Sequence, residues 1–459
     1  MAKERGHWGS RLGFILAAAG AAVGLGNVWK FPYITGENGG GAFVLVYLLC
    51  IGLIGLPIMV AEIMLGRMAK ASNVTAFRTL SGGKAQWSWV GWLGVAVAFV
   101  VLSYYSVVAG WAMHYVYLAA SGAFTPESAS KVPAMFGEVV GNPTTNILWH
   151  VVFMGLTMGV VVAGVQGGVE RAARILMPAL LVMLFGLLIY ATTLEGFGEA
   201  LDFVFGFRFD KLKAAGILEA LGHSFFTLSV GMGAMLTYGS YLQDDDDAIT
   251  ASVAITILDT LVALMACLIL FPITFTQGME PAGGPGLVFV NIPAALSDLP
   301  GGSFLAVVFF VLLFFAALTS AVSLLEVAGS FLIDEKGWDR KKAMFTIGGA
   351  ILVFGIPSAL SNVEGSFFNE TFAAAAYSPG ERNWFDTFDY LASNWGLPLG
   401  GMGIALFAAW GLGGEARRIA FAQGSKLGAS DKVFAGWLIV LRYAVPVGIG
   451  AVIYQTLTS

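Results

Sequence analysis

The chain has 459 residues, 57% of them hydrophobic and only 12% charged, and a mean hydropathy of +0.79 excludes a soluble domain of this length. A formal net charge of -5, spread along the chain, excludes a basic surface for nucleic acid. Cys50 and Cys267 lie inside apolar runs, where they read as small hydrophobes rather than as a disulfide or metal cluster, and His7, His114, His150 and His223 show no metal-ligand spacing.

Stretches of about 20 apolar residues, enough to cross a bilayer as helix, fall at 11–35, 41–66, 88–121, 147–164, 170–193, 218–241, 248–276, 303–333, 340–357, 385–412 and 433–456. They predict an all-α integral membrane fold with eleven transmembrane helices. Arg5 and Arg11 lead into the first stretch without a small-residue cleavage site, so no signal peptide is expected. With the N-terminus inside, 17 of the 24 Lys and Arg residues fall on inside segments and five on outside ones. The positive-inside rule therefore predicts a multi-pass protein of the plasma (inner) membrane, with a cytoplasmic N-terminus and an extracellular C-terminus. The acidic run Asp244 to Asp247 precedes the seventh span, where carboxylates suit a helix N-terminus better than a calcium site. No polar stretch reaches thirty residues, so 1–459 reads as one membrane unit. The amphipathic piece "GLVFVNIPAALSDLP", Gly286 to Pro300, is either a lid over an outer entrance or a plain surface helix.

Two spans are interrupted. Residues 20 to 33 read "GAAVGLGNVWKFPY" in span one, and residues 225 to 241 read "FFTLSVGMGAMLTYGSY" in span six. These are equivalent positions of two five-span halves, 11–193 and 218–412, with 433–456 as an additional helix. Glycine weakens a helix by about 1 kcal/mol per residue relative to alanine, and unwound backbone within a bilayer is tolerated only where it lines a cavity or holds a ligand. The glycines alone also fit close helix packing. Asn27 directly after the first break, with Thr227 and Ser229 at the second, favours a midplane binding site between inverted repeats.

At these residues the chain resembles the neurotransmitter:sodium symporter family, which has the LeuT-type fold with helices 1 and 6 unwound at mid-membrane. The resemblance runs through "ENGGGAF" (37–43), "PIMVAEIMLGR" (57–67), "SYYSVVAGW" (103–111), "FFTLSVGMG" (225–233) and "LLFFAALTS" (312–320) as well as the first break. Twelve spans are common in the family; this chain resembles the bacterial members that lack the last. The resemblance implies a sodium-coupled secondary active symporter, not an enzyme, that imports an amino acid by alternating access.

It also implies site residues. One sodium ion would be held by Ala22, Asn27, Thr227 and Asp259, and a second by Gly20, Val23, Ala316, Thr319 and Ser320, all-oxygen shells that fit a hard cation. The substrate site would comprise Ala21, Ala22, Gly24, Leu25, Gly26, Val101, Tyr105, Phe226, Thr227, Ser229, Met232, Ser320 and Leu324, with the Tyr105 hydroxyl on the substrate carboxylate. Lys30, at a position where the family usually has Arg, would close the outer side with Asp389 under Phe226, and Arg5 with Asp334 the inner side. Gly168 and Pro178 match a Gly-x9-Pro spacing that the family uses to unwind the start of span five.

Substrate class follows from what the pocket holds. Monoamine carriers of the family have an Asp at the position of Ala21, so a carboxylate-bearing substrate is expected here, and the apolar lining with an adaptable Met232 points to hydrophobic L-amino acids, aliphatic or aromatic. Chloride-dependent relatives have Asn and Ser where this chain has Asp259 and Ala263, so the resemblance implies chloride independence, with Asp259 supplying the charge and taking up a proton on the return step. A sodium-dependent receptor or channel on the same scaffold is the alternative, though no ring of pore charges is present. An enzyme is disfavoured further, because no G-x-S-x-G occurs and "GLGNVW" fails the dinucleotide pattern at its third glycine.

Overall fold

Runs of Leu, Val, Ala and Phe bounded by caps become helices because lipid offers their backbone groups no partner. The computed structural model describes residues 6–280, 284, 286–370 and 382–458, and every regular element among them is helical. In chain order these are α1 (Arg11–Ala22), α2 (Gly26–Glu37), α3 (Gly41–Ala69), α4 (Asn73–Leu80), α5 (Ser88–Ala120), α6 (Pro143–Val162), α7 (Val165–Ala191) and α8 (Ala214–Thr227). There follow α9 (Ala234–Gly239), α10 (Ala248–Thr276), α11 (Leu287–Asp298), α12 (Gly302–Lys336), α13 (Arg340–Ala359), α14 (Trp384–Gly411), α15 (Gly414–Ala422) and α16 (Asp431–Thr458), with short helices between some of them.

Eight of these are long and apolar enough to cross a membrane, and ten spans result if each bent pair counts as one: α1 with α2, bent by 48°, and α14 with α15, bent by 111°. The remaining predicted segment, 218–241, holds two short helices, α8 and α9, on either side of the non-helical residues 228–233, so length and hydropathy count up to ten spans among the described residues where eleven were expected.

Polar caps set the ends. Ser10 accepts from Gly13 N at 2.9 Å, Asn142 from Thr145 N at 3.0 Å and Asp339 from Lys342 N at 3.1 Å, each meeting a backbone donor that the first turn leaves free. Asp247, from the acidic run, caps α10 by accepting from Thr250 N at 2.9 Å.

The longest helices, α5 and α12, pack along each other and are buried over most of their length. Around them, α7 and α16 keep Val182, Ile189, Val447 and Tyr454 outward, as lipid-facing helices do. α9 lies directly on α3: a Cβ on Gly66 would stand 2.0 Å from the Leu236 carbonyl oxygen, so only glycine fits there. The 286–300 segment is not a plain surface helix. Phe289 of α11 is fully buried, its ring 5.1 Å from Tyr115 and 6.0 Å from Trp111, so α11 is part of the packed body.

On the face that carries the N-terminal segment, Glu326 of α12 is fully buried and paired with Arg340, which starts α13. Tyr241 donates its hydroxyl to Glu326 at 2.6 Å, and Arg340 also reaches the Val161 carbonyl at 2.8 Å. Removing one partner of a buried pair leaves an uncompensated charge at a cost of about 3–5 kcal/mol. Arg340→Ala is therefore expected to lower the thermal midpoint of the detergent-solubilised protein by several degrees, and an unchanged midpoint would show that Glu326 does not depend on Arg340.

Candidate functional site

The two helix breaks face each other. α1 stops at Ala22, Val23 turns the chain out with ψ 103°, and α2 begins at Gly26. α8 stops at Thr227, and the strap 228–233 that follows holds Ser229, Gly231 and Gly233 at φ +52°, +93° and +74°. A left-handed conformation costs a non-glycine residue about 1–2 kcal/mol. Ser229 is held in it by donating Oγ to the Ala21 carbonyl at 2.8 Å, a bond that ties one break to the other.

The strap has few helical hydrogen bonds of its own, and its polar groups are met from outside. Glu62 of α3, fully buried, accepts from Gly231 N at 2.6 Å and Leu236 N at 3.3 Å. Asn73 of α4 donates to the Met232 carbonyl at 3.1 Å and accepts from Thr237 Oγ1 at 3.3 Å. Neither residue belongs to the sets expected from the sequence. A signal existed for Glu62, an acid within the apolar run "PIMVAEIMLGR", because an ionisable side chain inside a membrane span is costly unless it is paired or hydrogen-bonded.

Between the breaks lies a small cavity of about 20 Å³. Ala21, Ala22, Gly24, Leu25 and Gly26 line it from the first break, Val101 and Tyr105 from α5, and Phe226, Ser229 and Met232 from around the second. Ser320 and Leu324 of α12 and Leu397 of α14 complete the wall. All the predicted substrate residues except Thr227 are thus brought together. Thr227 lies behind the wall, beside Asp259, and Leu397 was not anticipated. The Tyr105 hydroxyl accepts from Leu25 N at 3.2 Å, which holds it over the break. A Cβ on Gly24 would come within 2.5 Å of Ser320 Oγ and 2.9 Å of the Tyr105 hydroxyl, so glycine is needed there for α5 and α12 to close around the break.

Asp259 of α10 is fully buried, and among the described residues no Lys or Arg pairs with it. Asn27 Nδ2 donates to its Oδ1 at 2.7 Å and to its backbone oxygen at 3.0 Å, and Thr227 Oγ1 donates at 3.1–3.2 Å. Two neutral donors do not balance a full charge in a low-dielectric interior. With the break beside them, Asn27, Thr227 and Asp259 make an oxygen-rich group that fits a sodium ion. Of the second predicted set, Ser320 Oγ lies 3.3 Å from both the Gly20 and Val23 carbonyls at the break, whereas Thr319 Oγ1 bonds back within α12 to the Ala316 carbonyl at 3.0 Å. Five oxygens with no nitrogen or sulfur again suit a hard cation.

On one side of the cavity Phe226 is capped by Lys30 Nζ, 4.9 Å from its ring centre, and Lys30 reaches Asp389 at 3.8 Å. On the other side Asp334 accepts from Ser72 N at 2.5 Å, while its predicted partner Arg5 lies outside the described residues. α7 is helical from Val165 onward, with Gly168 in its wider first turn and Pro178 inside it, so the 168–178 segment is wound here. Gly168 sits against the end of α6, where a Cβ would meet the Val160 oxygen at 2.0 Å.

Paired helix breaks around a membrane-buried cavity, beside a carboxylate without a cationic side chain, are the build of an ion-coupled carrier. Comparison with known proteins makes this specific. The profile of the sodium:neurotransmitter symporter family matches residues 5–131 and 137–378. The sodium-dependent transporter YhdH of Bacillus subtilis is 36% identical over 445 residues, covering 96% of this chain and 95% of the relative. A sodium- and chloride-dependent neutral and basic amino acid transporter, B(0+), of Mus musculus is 24% identical, covering 86% and 70%. The crystal structure of MhsT in complex with L-phenylalanine superposes with a TM-score of 0.89 at 42% identity, covering 99% of this chain and 100% of that one. The chain belongs to the sodium:neurotransmitter symporter family, whose members are sodium-coupled transporters and not enzymes.

Replacing Thr319 and Ser320 together by Ala removes both side-chain hydroxyls of this set. Sodium-dependent uptake in the double variant is expected to need at least tenfold more sodium for half-activation; unchanged sodium activation would refute this assignment.

Proposed function

We propose that the protein imports hydrophobic L-amino acids, aliphatic and aromatic, together with sodium, by alternating access between two five-helix halves, 11–193 and 218–412. The observation that carries the reading is the cavity: its side-chain walls are Leu25, Val101, Phe226, Met232, Leu324 and Leu397, while its polar groups cluster at the first break beside Tyr105 and Ser320. Such a division suits a ligand with a zwitterionic end and an apolar side chain. Ala21 offers no carboxylate for an amine, and the likeness to MhsT, solved with L-phenylalanine, supports an aromatic among the ligands.

In this reading Ala22, Asn27, Thr227 and Asp259 hold one sodium ion beside the substrate carboxylate, and Gly20, Val23, Ala316, Thr319 and Ser320 a second. The Lys30–Asp389 pair over Phe226 closes the outer side, a contact between partly exposed groups and weak enough to open each cycle. Asp334 with Arg5 closes the cytoplasmic side, toward which the N-terminus faces, and unwinding of α7 between Gly168 and Pro178 opens it, since Pro178 removes one helical hydrogen bond. Ala263, buried one turn beyond Asp259 on α10, has no donor for an anion. Asp259 then supplies the negative charge, chloride is not required, and a proton on its carboxylate restores neutrality on the return step.

Purified protein in proteoliposomes is expected to accumulate labelled L-leucine only under an inward sodium gradient, and equally well when chloride is replaced by gluconate. Binding without accumulation would favour a receptor on the same scaffold, and a strict chloride requirement would overturn the role given to Asp259.

Met232→Phe adds bulk to a cavity that is already tight, and overpacking costs about 1–3 kcal/mol, or roughly ten- to a hundredfold in affinity. L-tryptophan binding is expected to fall further than L-leucine binding in this variant. Equal losses would place Met232 away from the ligand side chain.

A further inference from the structure

We propose that α14 sets the upper size limit of the substrate through Gly400 and Leu397, although Gly400 does not line the cavity. The inference rests on the amino-acid reading of that cavity and adds the element that fixes its width.

The strap 228–233 forms no helix, so its position comes from its neighbours. Glu62 holds Gly231 N and Asn73 holds the Met232 carbonyl. Gly94 of α5 supports the strap on another side, where a Cβ would stand 2.8 Å from the Met232 carbonyl oxygen. α14 closes the last protein-filled side at still shorter range. A Cβ on Gly400 would stand 1.9 Å from the Gly231 carbonyl oxygen, and one on Gly231 would stand 2.3 Å from the Leu397 carbonyl oxygen. Backbone meets backbone, and no flexible side chain can absorb a change.

Two consequences follow from this contact. Met232, the residue after Gly231, forms part of the cavity wall, so its place is set by where α14 lets Gly231 lie. Leu397, on the same helix and less than one turn before Gly400, lines the same cavity. α14 has little freedom to retreat, because its Leu397–Leu406 stretch is itself packed against α3, α5, α8 and α16. A methyl group at 400 lies roughly 1.5 Å inside van der Waals contact, and with α3, α4, α5 and α14 around it the strap yields toward the cavity. Removing the Leu397 side chain does the opposite, widening the cavity without touching the backbone contact.

The test measures sodium-dependent binding of labelled L-leucine to the purified full chain and its displacement by L-tryptophan. In Gly400→Ala the affinity ratio of tryptophan to leucine is expected to fall at least tenfold. In Leu397→Ala it is expected to rise several-fold. Parallel changes for the two ligands, or no change, in the variants would overturn the proposal, because a merely structural role lowers both affinities together. If Gly400→Ala binds neither ligand, Leu397→Ala decides, and a ratio that stays put or falls there overturns it. Failure of the unaltered protein to bind L-leucine would instead sink the amino-acid reading, and this inference with it.

Discussion

A peptide group left without a hydrogen-bond partner in hydrocarbon costs several kcal/mol, and the centre of this molecule is organised around two stretches of backbone that have given up their helical partners. Residues 23–25 and 228–233 are stable only because each finds substitutes: the Tyr105 hydroxyl and the Asn27 side chain for the first, Glu62 and Asn73 for the second. Ser229 to Ala21 joins the two directly. The cavity exists because these substitutes hold the strands of backbone apart, and its glycines exist because α5, α12 and α14 crowd in to supply them.

Three buried carboxylates show how differently charge is managed in one membrane interior. Glu326 has a guanidinium and a phenol, Glu62 has backbone N–H groups, and Asp259 has an amide and a hydroxyl. The first is a lock between helices, and the second stands in for a missing turn of helix. The third has the weakest set of protein partners and sits where the coupling ion is expected. Their differing surroundings, rather than their common chemistry, separate scaffold from function.

Much of this was legible from residue order. Apolar runs locate the long helices to within a few residues, because span length is dictated by the bilayer and the ends by caps such as Asn142 and Asp247. The breaks at Gly24–Gly26 and Gly231–Gly233 pointed to the cavity, and the residues expected around it converge, Thr227 excepted. Leu397 and Gly400 were invisible, since an apolar residue and a glycine in a lipid-spanning helix carry no local mark, and only tertiary packing brings them to the strap. The burial of α11 was likewise set by the aromatic cluster of Trp111, Tyr115 and Phe310 rather than by its own amphipathic pattern.

The small volume of the cavity has a thermodynamic consequence. A space of about 20 Å³ holds about one water molecule, so it is far smaller than the side chain of an amino acid. Admitting a side chain means separating groups already in contact and then re-forming those contacts on the guest. For the amino-acid ligand proposed above, the balance is then one of dispersion enthalpy lost and regained, with ligand size limited by how far the strap and its supporting helices can part.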